Sequence, residues 1–313
     1  MGSSASKFSK TVVGNETHNS ARNVLEKIAL ETKGDINVKA NKYEGKLKGN
    51  LKDAKFYNKL FISLDVKKDV PSNPCYLNYV FHTNVWNDRA NDRDPCLLRD
   101  KKRFSNEGEA ECGSDKIRGN ENNRNDGTAC APYRRRHMCD YNLEFINEQN
   151  VLTTHDLLGN VLVMAKSEGE SIVKNHPNRG SSEVCTALAR SFADIGDIIR
   201  GKDLYRGVNG NDKLESNLKK IFGKIHEKLE KPAKEYYEDK DPDKNYYQLR
   251  EDWWTANRDQ VWKALTCSAD DSEDYFIQSE SNKKLFSNSK CGHDENKVLT
   301  NLDYVPQYLR WFE

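Results

Sequence analysis

A mainly α-helical fold, with a loop-rich, disulfide-stapled front and a helical bundle behind it, is what the sequence predicts. Three observations carry this. Four stretches after residue 150 each keep their apolar residues on one helical face over about 20 residues. Five of the eight cysteines fall between Cys75 and Cys139, among few apolar neighbours. Pro, Asn and Asp punctuate that same region as turn residues do.

The elements follow in order. Residues 1–18 read as a polar tail. Ser20 to Lys33 reads as a short helix with Val24, Leu25 and Ile28 as its stripe, ended by Gly34. Asn41 to Leu60 is rich in lysine. Ile62, Leu64 and Val66 alternate as in a short strand. Pro71, Pro74, Pro95 and Pro132 mark turns, and residues 114–126 form an Asn-rich loop.

Helical periodicity then takes over. Thr154 to Asn175 aligns Leu158, Val161, Leu162, Ala165, Ile172 and Val173, and stops before Pro177. Ser182 to Arg200 aligns Cys185, Leu188, Phe192, Ile195 and Ile199, with Gly201 beyond. Asp212 to Lys231 uses Leu214, Leu218, Ile221, Ile225 and Leu229 before Pro232. Tyr246 to Cys267 uses Leu249, Trp253, Ala256, Gln260, Ala264 and Leu265. Helices of matched length, near 30 Å at about 1.5 Å per residue, argue a bundle. Pro306 opens a last helix, and the sequence stops inside it, which reads as a truncated fragment.

No pair of cysteines has the C-x-x-C spacing of a zinc ribbon or a thiol redox motif. A polar segment that buries little core gains from disulfides, so the cysteines are read as oxidised and the protein as extracellular. No apolar leader opens the sequence, which pulls the other way. Eight cysteines allow 105 pairings, and spacing alone selects none.

The net charge of +1, from 50 Lys+Arg against 49 Asp+Glu, conceals a split. Residues 1–140 hold 26 basic and 19 acidic side chains, or +7; residues 141–313 hold 24 and 30, or −6. A basic front half speaks to an anionic partner.

Enzymatic chemistry is sought without success. There is no phosphate-binding glycine loop, no dinucleotide fingerprint and no nucleophile elbow. His226-Glu227 opens like a zinc-protease motif, but Glu230 stands where the second histidine belongs. Cys291 and His293 are two metal ligands at best. No catalytic residue, metal site or cofactor is expected, and no zinc-finger, homeodomain or RNA-recognition pattern points to nucleic acid.

Basic clusters remain. Lys and Arg donors suit the sulfates and carboxylates of acidic glycans. The candidate glycan-binding residues are Lys46, Lys48, Lys52, Lys67, Lys68, Lys101, Lys102 and Arg103, chosen for their density in the +7 half. Arg134, Arg135 and Arg136, between two cysteines, suit a buried structural role equally well. Lys220, Lys224, Lys228 and Lys231 recur at helical spacing, partly offset by Glu227 and Glu230.

Four motifs also resemble a known family. Cys130-Ala131-Pro132-Tyr133-Arg134-Arg135-Arg136-His137-Met138-Cys139 is similar to the cysteine-flanked Arg motif of Duffy-binding-like domains. Ala189-Arg190-Ser191-Phe192-Ala193-Asp194-Ile195-Gly196-Asp197-Ile198-Ile199-Arg200-Gly201 is similar to their next signature. Arg250-Glu251-Asp252-Trp253-Trp254 with Val261-Trp262-Lys263-Ala264-Leu265-Thr266-Cys267 is a third, and Pro306-Gln307-Tyr308-Leu309-Arg310-Trp311-Phe312 a fourth. In this order they resemble the N-terminal segment and alpha-class Duffy-binding-like domain of the erythrocyte membrane protein 1 family of Plasmodium falciparum.

The resemblance implies an N-terminal segment over 1–60, a loop-rich first subdomain over 61–150 and a helical-bundle second subdomain over 151–313, with a cysteine-rich third subdomain missing. It implies export to the surface of the infected erythrocyte without an ordinary leader, anchored by a transmembrane segment outside this fragment. It implies an adhesin that takes part in rosetting and cytoadherence through red-cell glycans, heparan sulfate or complement receptor. Cys267 and Cys291, two cysteines where other members carry four, resemble the subgroup linked to rosetting. The alternative is a structural or antigenically variant scaffold whose receptor site lies in the missing subdomain or a neighbouring domain. An intracellular enzyme is a third reading, and it would require eight free thiols.

Overall fold

The structure is a computed structural model. It describes residues 11–13, most of 25–33, and 42–57, 69–86, 90–103, 108–121, 129–207, 212–280, 283–295 and 297–311. The strand expected around Ile62–Val66 and residues 122–126 of the Asn-rich loop lie outside these residues.

Four long helices dominate. Helix α1 spans Thr154–Asn175, α2 Ser182–Arg200, α3 Lys213–Lys228 and α4 Tyr247–Leu265. Local chemistry sets the ends of the first two. Thr153 and Asp156 close a reciprocal capping box on α1. Ser181 caps α2, which ends at Gly201 with φ +73°, a left-handed position that glycine takes without steric cost. Helices α3 and α4 start and stop within three residues of the expected bounds, as fraying ends do.

The expected stripes form the core. Leu158, Val161, Leu162, Leu188, Phe192, Ile195, Ile221, Trp253 and Leu265 are all buried. Helix α4 packs on both α1 and α2. Its indoles do much of the filling: Trp254 and Trp262 meet Phe192 at 5.1 and 5.3 Å between ring centroids, and Trp253 meets Phe222 of α3 at 6.1 Å. Close approach is set by Gly169 in α1, where a Cβ would lie 1.8 Å from the carbonyl oxygen of Leu265.

Four disulfides use all eight cysteines: Cys75–Cys267, Cys96–Cys139, Cys112–Cys130 and Cys185–Cys291. Two are local to the loop-rich front. The other two tie it, and the segment after α4, to the bundle. A single hydrophobic cluster runs through Leu47, Met138, Leu162, Trp254 and Val305.

A three-stranded antiparallel sheet was not expected. Strand β3 (Lys283–Phe286) lies between β1 (Thr11–Val13) and β2 (Phe276–Glu280). Residues 11–13 therefore depart from the polar tail read over 1–18. Thr-Val-Val is a β-branched run that favours a strand once an edge is available to pair with. That edge lies 270 residues downstream, beyond the reach of a local reading.

Candidate functional site

The candidate lysines fall on two segments that the fold holds in place. Lys46, Lys48 and Lys52 are exposed on residues 46–52, whose backbone is fastened to the bundle. The Leu47 carbonyl accepts from Thr154 Oγ1 at 2.6 Å and from Asn257 Nδ2 at 3.0 Å. Gly49 N–H donates to Asn257 Oδ1 at 2.7 Å, and Asn50 N–H to His155 Nδ1 at 2.9 Å. A Cβ at Gly49 would meet Leu158 Cδ2 at 2.6 Å, so only glycine lets this backbone lie so close to α1. Lys48 pairs loosely with Asp259 at 3.3 Å, an exposed contact that solvent screens.

Lys101 and Lys102 are exposed on a turn. Asp100 shapes it, accepting from Lys102 N–H at 2.8 Å and from Tyr133 O–H at 2.7 Å. These donors hold the Asp100 carboxyl below its usual range. Arg103 faces the other way. Only 3% exposed, it pairs with buried Glu168 at 2.8 Å and donates to the His137 carbonyl at 2.8 Å. Its charge is neutralised inside the protein, so it leaves the candidate set. Lys67 and Lys68 lie outside the described residues.

The triple-arginine run is committed internally. Arg134 pairs with Asp194 at 2.5 Å, and Arg135 with Asp203 at 2.5 Å and Asp140 at 3.0 Å. Arg136 donates to the Glu109 carbonyl and lies 3.9 Å from Glu111. The helical lysines are partly committed as well: Lys224 donates to the Glu148 carbonyl and Lys220 lies 3.6 Å from that side chain.

The arginines belong to a buried ionic lattice. Asp194 also meets Arg310 at 2.7 Å, and Asp197 meets Arg200 and Arg310. Asp303 meets Arg258 at 2.6 Å and Trp254 Nε1 at 2.8 Å, and Arg250 meets Glu215 at 2.7 Å. Burial works to raise the Asp194 carboxyl, but Arg134 and Arg310 outweigh it and hold the group at about 2. Asp303 and Asp140 shift down for the same reason, whereas burial wins at Asp197 and pushes it up.

A depressed carboxyl gives stability that is complete above the unfolded pKa, near 4, and lost as pH falls towards the folded value. Asp197 acts in the opposite sense, so the loss is partial. As pH falls from about 7, the partly buried His137, His176 and His293 rings, held below their usual range by burial, cost some stability, and the depressed carboxyls are then expected to remove roughly 2 kcal/mol of unfolding free energy between about pH 4 and 2. Denaturant titrations across this range check it; no fall between about pH 4 and 2.5 would contradict the lattice.

The Cys291–His293 pair holds no metal site. Cys75, Cys267 and His293 form the single metal-ligand-like group among the described residues, but both thiols are joined to each other, and Cys291 is joined to Cys185. His293 Nδ1 instead lies 2.9 Å from Thr266 Oγ1.

Comparison with known proteins places this arrangement. The family model for the Duffy binding domain matches residues 128–310, and that for the N-terminal segments of PfEMP1 matches residues 20–55. The chain belongs to the Duffy-binding domain family. It joins a PfEMP1-type N-terminal segment to the helical, four-disulfide fold of that family. It is similar to the N-terminal NTS-DBL1-alpha and CIDR-gamma double domain of PfEMP1 from the P. falciparum varO strain. The identity there is 50% over 94% of this chain and 43% of that one, with a TM-score of 0.87. The PfEMP1 DBLb domain bound to human ICAM-1 is 28% identical over 95% of this chain and 61% of that one, with a TM-score of 0.69. Among curated relatives, the Duffy receptor of Plasmodium vivax is 26% identical over 147 residues, 44% of this chain and 12% of its own length. The chain thus spans less than half of the double domain and a small part of the receptor. Among the described residues, no helix is long and apolar enough to cross a membrane.

Proposed function

We propose that this chain is the receptor-binding portion of a non-enzymatic adhesin that recognises acidic glycans on host cells. The supporting observation is the sorting of its basic side chains. Arginines of the Duffy-binding motif face inward onto carboxylates, while Lys46, Lys48, Lys52, Lys101 and Lys102 are exposed on pinned backbone. A rigid, solvated lysine face suits sulfate groups because little side-chain order beyond the lysines themselves must be imposed on binding. The relatives named for the Duffy receptor and for binding human ICAM-1 support the class of partner. In this reading the parent protein sits at the surface of the infected erythrocyte, held by a membrane anchor elsewhere in its sequence, and serves rosetting or cytoadherence. Residues 1–60, 61–150 and 151–313 act as N-terminal segment and two subdomains.

Elution from a heparin column tests it. Charge reversal of Lys46, Lys48 and Lys52 to Glu is expected to weaken binding about tenfold or more near physiological salt, since each exposed contact is worth a few tenths to about 1 kcal/mol. Wild-type affinity should also fall steeply with salt. Unchanged elution of the triple variant would remove these lysines. Binding by a longer protein but not by residues 1–313 would favour the scaffold reading, with the receptor site in a third subdomain or a neighbouring domain.

A further inference from the structure

Beside the lysines lies a small aromatic platform that the charge pattern does not explain. Tyr43 precedes a one-turn helix, Glu44–Leu47, in the N-terminal segment. Tyr236 ends another, Ala233–Tyr236, in the connection between α3 and α4. The two segments are almost 200 residues apart, yet their rings meet at 5.2 Å with a 59° tilt. Tyr237 backs both, at 4.8 Å from Tyr236 and 6.2 Å from Tyr43. It is buried and donates its O–H to Asp252 Oδ2 at 2.8 Å. Tyr236 is therefore braced by its neighbours while 42% of it remains exposed.

Cations border the platform. The Lys42 ammonium stands 5.5 Å from the centre of the Tyr43 ring. Lys46, exposed, follows Tyr43 by one turn, its N–H donating to the Tyr43 carbonyl at 2.9 Å. Of the adjacent acids, Glu235 is engaged by Lys231 at 2.8 Å and Glu238 lies 3.9 Å from Lys244, while Glu44 follows Tyr43.

We propose that this seam is a sugar subsite: one pyranose ring of an acidic glycan stacks on Tyr236, and Lys42 and Lys46 hold its sulfate or carboxylate. The chemistry of the two halves differs. A pyranose has an apolar C–H face that suits the flat side of a tyrosine, and braced tyrosines make contacts at low entropic cost. The ammonium groups supply long-range attraction that salt screens; the stacking is short-range and salt does not screen it. The subsite rests on the acidic-glycan reading above and adds to it a requirement for a sugar ring. It also makes the N-terminal segment and the bundle joint owners of one site.

The experiment compares two polyanions on the full chain: a heparin oligosaccharide, and polyvinyl sulfate, which carries sulfates without rings. Both are titrated at low salt and at about 0.5 M salt, where the Debye length is only a few ångströms. Tyr236→Ser and Tyr43→Ser are measured with Tyr308→Ser, an exposed tyrosine elsewhere, as control; circular dichroism confirms that each is folded. Tyr236→Ser is expected to lose about five- to tenfold in heparin affinity, the range of a single stacking contact, and to keep its polyvinyl sulfate affinity. The loss should persist at high salt. Equal losses on both polyanions, or none on heparin, would overturn the subsite while leaving the lysine face standing. Failure of the wild type to bind either polyanion would overturn both.

Discussion

Asp194→Ala is expected to cost about 3–5 kcal/mol of folding stability, a large share of what holds a domain together. Asp194 is fully buried and accepts from Arg134, Arg310 and Gln307. Removing it takes a carboxylate from each of two guanidinium groups that burial has already stripped of water. Arg310 retains Asp197, but Arg134 has no other carboxylate among its named partners. Asp194→Asn keeps the volume and removes the charge, so a similar loss there assigns the effect to electrostatics rather than to a cavity. Urea titration measures both. A loss under about 1 kcal/mol in either variant would mean that the lattice is not buried as described.

Gly169→Ala is the second large effect. A methyl group there would lie 1.8 Å from the Leu265 carbonyl oxygen, and that obstacle is backbone. No rotamer change relieves it; α1 and α4 must separate. Helix propensity alone favours alanine by about 1 kcal/mol, so the sign of the result discriminates. Overpacking of this kind costs about 1–3 kcal/mol and here reaches the upper end or beyond, because Cys267, just past the end of α4 and tied to Cys75, shifts with it. Thermal denaturation of the folded variant reads it. A midpoint equal to or above wild type would show that the helices do not approach this closely.

The four long helices were legible because one periodicity, repeated over about four to six turns, was bounded by breakers such as Pro177, Gly201 and Pro232. The sheet was not: β1 pairs with β3 across some 270 residues, and the local β2–β3 hairpin went unread. The candidate surface was half legible. Lys-rich composition singled out residues 42–52 and 101–102 as candidates, but composition carries no direction, and Arg103 turns inward directly after two lysines that turn out. A buried role for Arg134, Arg135 and Arg136 was open in sequence, but their acidic partners were not legible, because burial makes sense of such charges only in pairs such as Arg310 with Asp194. Tyr43 and Tyr236 gave no local signal, because neither forms a platform without the other.

The fastening of residues 47–49 to Asn257 has a consequence for biosynthesis. The partner lies 208 residues downstream. At about 5–20 residues per second, the ribosome delivers it roughly 10–40 s after the segment emerges. Cys75 waits in the same way for Cys267, across 192 residues. Thr154 and His155 of α1 arrive about halfway through that interval, and Asn257 completes the fastening. Like charges on Lys42, Lys46, Lys48 and Lys52 disfavour collapse, so the nascent stretch is expected to stay extended and hydrated until the bundle arrives to receive it.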